Sequence, residues 1–209
     1  MNESALKYKV NTQGAQRFTM YLFIITTSMI FAGFTSAFLV RKGVGGAWSS
    51  FHIPSVFNIS TFLIILSSVF LQSAHIANKK HHKLMTTAGL FLTLVLGLLF
   101  CIFQFMGWSE LNNEGVYLSF NPNPAGPYFL VITFVHALHV IGALVFLAIA
   151  FVQSLNQLKG ADSATVLEDL ETTDNGILSI RTDLLTLFWH FMGALWIYLY
   201  IFLTLNLSK

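Results

Sequence analysis

Five long apolar stretches, set apart by short polar ones, organise this chain. The first runs from Phe18 to Val40 and stops at Arg41-Lys42. The second covers 55–77, opened by Pro54 and closed by Lys79-Lys80. The third covers 84–107 and ends at Trp108; the fourth is Pro127–Phe151; the fifth covers 183–205, with Thr182 placed as its N-cap. Each stretch is about 23 to 25 residues long, enough to cross a hydrocarbon core of about 30 Å as a helix rising about 1.5 Å per residue. Inside lipid every backbone N–H and C=O must be satisfied within the segment, so these runs are helices. The pattern predicts an all-α, polytopic membrane protein with five transmembrane helices, a single membrane domain over residues 1–209.

The polar stretches set orientation. With the N-terminus inside, the inner side holds Lys7, Lys9, Arg17, Lys79, Lys80, Lys83, Lys159 and Arg181, and the outer side holds Arg41, Lys42 and Lys209. Eight against three favours N-terminus inside and C-terminus outside. The first 17 residues are polar and the apolar run after them exceeds a signal-peptide core, so it reads as an uncleaved first span. Residues 78–83 are few and basic, which predicts a tight hairpin between the second and third spans. Gly43, Gly45 and Gly46 with Trp48 suit an interfacial turn, and Asn121-Pro-Asn-Pro124 is turn-rich. The longest loop, 153–182, carries Asp162, Glu168, Asp169, Glu171 and Asp174. Thr165 and Glu168 have capping-box spacing for a short surface helix there, solvated or set against a partner.

Composition narrows the class. The chain is 55% hydrophobic and 10% charged, against about 25% charged for a soluble domain. A net charge of +2 gives no nucleic-acid footprint. Cys101 stands alone, which excludes an intrachain disulfide and a cysteine-based metal site. Small residues recur within the spans: Ala32, Gly33, Ser36 and Ala37 in the first, Gly89 and Gly97 in the third, Ala137, Gly142 and Ala143 in the fourth, Gly193 and Ala194 in the fifth. They are read as helix-packing positions of a tight bundle.

Candidate chemistry is sparse. No Asp, Glu, Lys or Arg lies within a span, only at the edges, as with Arg17 and Asp183. A proton-coupled carrier would ordinarily keep a buried ionisable group. The notable polar groups are histidines. His136 and His139 lie three apart on the fourth span, pointing nearly one way. Depth counting from opposite ends brings His139 and His190 of the fifth span to similar depth in the inner half, so the two are expected on facing sides of their helices, neutral for want of a carboxylate. His75 ends the second span. Two readings follow: haem or metal ligation by histidines on facing helices, or hydrogen bonding across helices and to lipid. The second is adopted.

The motifs then meet a family. Phe188-Trp189-His190-Phe191, followed by Trp196 and Tyr200, is similar to the W-H-F-x-D-x-x-W-x-x-L-Y signature of subunit III of the haem–copper oxidases. His136-Ala-Leu-His139-Val-Ile-Gly142 resembles the H-x-L-H-V-I-G of the preceding span. Leu22-Phe-Ile24 with Phe31-Ala-Gly33, Ser67-Ser68 with Ala74-His75, and Gln104 with Trp108 match the other three spans in order. The match is to the short, five-helix form. Three family carboxylates are absent: Thr27, Gly107 and Gly193 occupy their places, and Asp183 stands for a Glu.

The resemblance implies an accessory subunit III of a terminal haem–copper respiratory oxidase of the cytochrome c oxidase type. Such a subunit supports oxygen reduction and proton pumping in aerobic electron transport by stabilising subunit I and holding phospholipid. Haem and copper are expected in partner subunits I and II, with none in this chain. It implies no catalytic residue and no metal ligand here, and a lipid or interhelical polar site at His136, His139, His190, Trp189, Trp196, His75 and Gln104. Partners would be subunits I and II, within a larger respiratory supercomplex in some hosts. The bacterial inner membrane is the expected location, the mitochondrial inner membrane the second choice. Two alternatives stand beside it: an accessory subunit of nitric oxide reductase, and a haem b anchor built on His136, His139 and His190.

Overall fold

The computed structural model describes residues 3–44, 48, 50–118, 124–160 and 168–207, with side chains from residue 14 in the first helix, to residue 158 in the fourth and from residue 179 in the fifth. It forms five α-helices: α1 (Glu3–Gly43), α2 (Val56–Lys79), α3 (Lys83–Asn113), α4 (Ala125–Gly160) and α5 (Glu168–Leu207). No strand occurs among the described residues. Each helix contains a segment long and apolar enough to cross a membrane, and these segments match the five predicted spans in order.

The helix ends depart from the reading of the sequence. Helix α1 begins at Glu3, well inside the polar stretch, and α3 runs on to Asn113. Helices α4 and α5 consume most of the expected loop at 153–182, which leaves 161–167 between them. Thr182 therefore caps nothing; it is buried inside α5, about four turns from the helix start at Glu168. The reason is physical: apolarity marks only the part of a helix that lies in hydrocarbon, while its hydrogen-bond ladder continues into water at no such cost. The proposed cap at Thr165, the loop glycines Gly45 and Gly46, and the turn at Asn121 lie outside the described residues.

The hairpin of α2 and α3 closes as expected, through a three-residue turn. Its backbone forms a Schellman motif. The His82 amide donates to the Ala77 carbonyl at 3.0 Å and the His81 amide to the Asn78 carbonyl at 3.0 Å. The same motif ends α3 at Gly115, where φ is +85°, and at the hairpin His81 takes the left-handed position with φ +59°.

Helices α2, α3, α4 and α5 form a closed four-helix bundle, each packed on two neighbours in the order α2–α3–α4–α5–α2. Among the described residues helix α1 stands outside it and, of the other helices, packs on α4 and α5. Small residues bring the bundle helices together. A Cβ at Gly89 would lie 2.7 Å from Ala74 Cβ, and one at Gly97 would lie 2.7 Å from Leu144 and from the Trp189 ring. The small residues of α1 behave otherwise. Ala32, Gly33, Ser36 and Ala37 all face outward, and a Cβ at Gly33 meets nothing. This corrects their reading as bundle-packing positions: the close approach they permit is not to a helix of this chain.

Candidate functional site

Helix α5 carries the polar tips that hold the bundle. Trp189 Nε1 donates to Ser67 Oγ at 3.0 Å, Trp196 Nε1 to Thr61 Oγ1 at 2.9 Å, and the Tyr200 hydroxyl to Asn58 Oδ1 at 2.5 Å. The residue after Trp189, His190, donates from Nε2 to Gln72 Oε1 at 3.1 Å. All four acceptors belong to α2. The third helix joins through Gln104, whose amide donates to Ser60 Oγ at 3.0 Å, and through Trp108, whose indole donates to Thr133 Oγ1 of α4 at 3.1 Å. Ser60, Thr61 and Gln72 were missed in the sequence reading. Their signal was present: polar residues inside the apolar run of α2, spaced to follow the face that meets α5 and α3.

The two histidines of α4 have different surroundings. Residues i and i+3 sit about 60° apart around a helix, not on one line. His136 turns into the bundle and is 0% exposed. Its ring stacks on Trp196 at 5.0 Å and 30°, with the edges of Phe31 and Phe100 at 6.1 and 6.2 Å. Neither of its ring nitrogens has a hydrogen-bond partner. His139 is only half-buried and lies against Phe23 and Phe31 of α1. Its Nδ1 meets the Val135 carbonyl at 2.8 Å. A carbonyl only accepts, so Nδ1 carries the proton and a neutral ring keeps Nε2 as an acceptor.

His139 and His190 do not face each other as expected. His139 looks toward α1 and His190 toward α2. Depth follows from counting residues; rotation about the helix axis follows from packing, which the sequence does not state. His75 goes to a third place. Its Nδ1 lies 3.4 Å from Asp183 Oδ1, within ion-pair range without hydrogen-bond geometry, and Arg17 of α1 lies 3.7 Å from the other carboxylate oxygen. Asp183 thus links α1, α2 and α5 at one end of the bundle. At the other end, Lys42 donates to the backbone and side-chain oxygens of Asn206 at 2.9 and 3.0 Å.

Fixed to α5 at both ends, α1 leaves a cleft of about 820 Å³ against α4 and α5. Its wall is mostly apolar, with Phe23 on α1, Gly142 and Phe146 on α4, and Phe188 on α5. Arg181 and Gln16 lie at the end near Asp183, and His139 is the one histidine among the lining residues. A haem held between two imidazoles needs two of them across one space; His136 is walled in by rings and His190 is turned to α2. Among the described residues no group of three or more His, Cys, Asp or Glu could hold a metal ion.

The three positions that lack the carboxylates implied by the resemblance show how the space is used. A Cβ at Gly107 would lie 2.6 Å from the Phe57 ring, so an aromatic side chain fills that room. At Gly193 the nearest atoms are Ser68 Oγ and Ile64 Cγ1, at 3.5 and 3.9 Å, which is ordinary contact distance. Thr27 is buried and neutral.

No family model matches the chain. Individual relatives do. It is 30% identical over 203 residues to cytochrome c oxidase subunit 3 of Equus caballus, covering 90% of this chain and 69% of the relative. With the same protein of Dugong dugon it shares 28% over 202 residues, and with that of Antilope cervicapra 29% over 205, again over 69% of each relative. Five spans in the family's order, the α4 and α5 motifs set in one bundle, and this likeness across nine-tenths of the chain agree: the chain belongs to the cytochrome c oxidase subunit 3 family, the subunit III family of the haem–copper oxidases.

Proposed function

We propose that this chain is the non-catalytic subunit III of a terminal haem–copper oxidase of the cytochrome c oxidase type, a single membrane unit with its N-terminus inside and its C-terminus outside, in a bacterial inner membrane. It packs on subunit I beside subunit II, which between them carry the haem and copper, and it supports oxygen reduction and proton pumping by stabilising that assembly and holding phospholipid. The cleft between α1, α4 and α5 carries this reading. Its apolar walls match acyl chains, and Arg181 with Gln16 at one end match a headgroup. His139, its Nδ1 held by the Val135 carbonyl, lines the same space. The outward small-residue face of α1 supports close docking on a helix of another subunit.

The test is to purify the tagged chain from its host membrane in mild detergent, identify the co-purifying proteins and lipids, and record the absorption spectrum of the separated chain. Expected are oxidase subunits I and II, bound phospholipid, and no Soret band from the chain alone. Isolation without oxidase subunits would overturn the assembly role; stoichiometric haem on the separated chain would revive the haem b anchor.

A further inference from the structure

Among the described residues helix α2 packs on α3 and α5, and its side turned away from both is uncovered by this chain. Down that side run Asn58, Phe62, Ile65, Val69, Gln72 and Ile76, all exposed. Their spacing alternates four and three, the spacing of a seam along which a second helix lies. Four of the six are large and apolar, which suits acyl chains as well as a helix. Gln72 separates the two. It lies about 10 Å along the axis from the end of α2 at Lys79, and so below the level of the headgroups. There it is held across the seam by His190 of α5, through Gln72 Oε1 and His190 Nε2 at 3.1 Å. Among the described residues this leaves two groups over: the Gln72 amide nitrogen, which donates, and His190 Nδ1, which in the neutral ring accepts. A donor and an acceptor thus stand side by side at acyl depth on an open face. We infer that this face docks a transmembrane helix of a partner oxidase subunit, whose side chain at this level is a hydroxyl or a carboxamide (Ser, Thr, Asn or Gln).

The chemistry selects the occupant. Acyl chains offer neither donor nor acceptor, and polar groups left unpaired among them are costly. Phospholipid ester oxygens only accept, so they would serve Gln72 and leave His190 Nδ1 unmet. A hydroxyl or a carboxamide does both at once, and a helix brings it at fixed height. The surface beside the pair admits a close helix. Ala194, one turn along α5 from His190, is exposed, and Gly193 next to it lies against Ser68 with no side chain of its own. On the same side of α2, Asn58 Oδ1 accepts from Tyr200. Its amide nitrogen offers the same helix a second, shallower contact about 21 Å away. The identity of the partner as an oxidase subunit rests on the accessory-subunit reading above; the polar face does not.

The test uses the whole complex in its host membrane. Photoreactive benzoylphenylalanine replaces Val69 or Ile65, both on the open side of α2 near Gln72, and in a control replaces Ile102 on the exposed side of α3. Membranes are illuminated before detergent is added, and the adducts are identified by mass. Expected from Val69 or Ile65 is an adduct with a membrane span of an oxidase subunit, and from Ile102 none. Adducts with lipid alone or with a second copy of this chain, while oxidase subunits still co-purify, overturn the inference and leave the accessory reading standing. Equal adducts from Ile102 overturn it as well. A preparation without oxidase subunits overturns both. Gln72→Leu should lower the adduct yield, and raise the share of this chain lost on detergent washing, by about threefold. His190→Phe should do the same, and the double variant little more, since the two residues form one contact. Wild-type yield and retention in Gln72→Leu would show that the polar pair plays no part. Should Gln72→Leu fail to fold, the adducts from Val69 and Ile65 decide alone.

Discussion

Replacing Trp196 by Phe tests whether α5 is held to α2 by its indole tips. Trp196 is 1% exposed, stacks on His136, meets the Phe100 ring edge-on at 5.3 Å and 87°, and bonds Thr61 at 2.9 Å. In a bilayer the separated helices already lie in apolar surroundings, so the usual transfer term for a buried ring largely cancels. Three terms remain. The interhelical hydrogen bond is worth about 0.6 kcal/mol on average and about 1.7 at most. The ring pairs contribute about 0.5 to 1.5 kcal/mol, of which Phe keeps a part. Each 40 Å³ of void left by the smaller ring adds about 1 kcal/mol. The sum is about 1.5 to 2.5 kcal/mol.

A double-mutant cycle separates the bond from the void. Trp196→Phe, Thr61→Val and the pair are unfolded from mixed micelles by a denaturing detergent. Thr61 also donates to the Phe57 carbonyl at 2.7 Å within its own helix, so its single variant loses that local bond too, and the cycle cancels it. The expected coupling is about 0.6 kcal/mol. Strictly additive losses, or a single-variant loss below about 0.3 kcal/mol, would show that the indole does not tie these helices and that α5 is held by ring packing alone.

Other outcomes follow from the same geometry. Changing His190 to Phe removes the bond to Gln72, which is worth about 0.6 kcal/mol; the chain should still insert, with co-purified lipid or subunit I reduced when the purified complex is quantified. Gly107→Ala places a Cβ against the Phe57 ring and should cost about 1 to 3 kcal/mol in detergent unfolding, a loss that Phe57→Leu relieves. A reporter fused after Lys209 should be active only on the outer side, and activity in the cytoplasm would reverse the orientation or change the span count.

The number and order of the helices were legible because crossing hydrocarbon is a one-dimensional demand: about 20 apolar residues in a row, wherever they fall. The place of α1 was not legible. Its apolar run resembles that of α4, since lipid-facing and protein-facing sides are both apolar in a membrane chain. What separates them is which positions carry rings and hydroxyls that reach another helix. Trp189, Trp196 and Gln104 announced such contacts, but their acceptors on α2 are small hydroxyls of a kind that also occurs on outward faces, as at Ser28 and Ser36. His136 and His139 show the same limit: their spacing placed both in the membrane, and a rotation of about 60° sent one into the ring cluster and the other to the cleft.

The absent carboxylates show why a sequence understates such compensation. A buried Glu needs partners and room, and its loss would leave a hole lined by atoms that had packed around it. At Gly107 the hole is not there, because Phe57 of the neighbouring helix occupies it. The two residues lie about 50 positions apart in the chain, so no local pattern joins them. At Gly193 the opposite holds, since a Cβ there would sit at ordinary distance from Ser68. The first site is packed by an aromatic ring, and the second leaves room for a side chain to start. A carboxylate restored at residue 193 would thus meet a hydroxyl, while one restored at residue 107 would first have to move an aromatic ring.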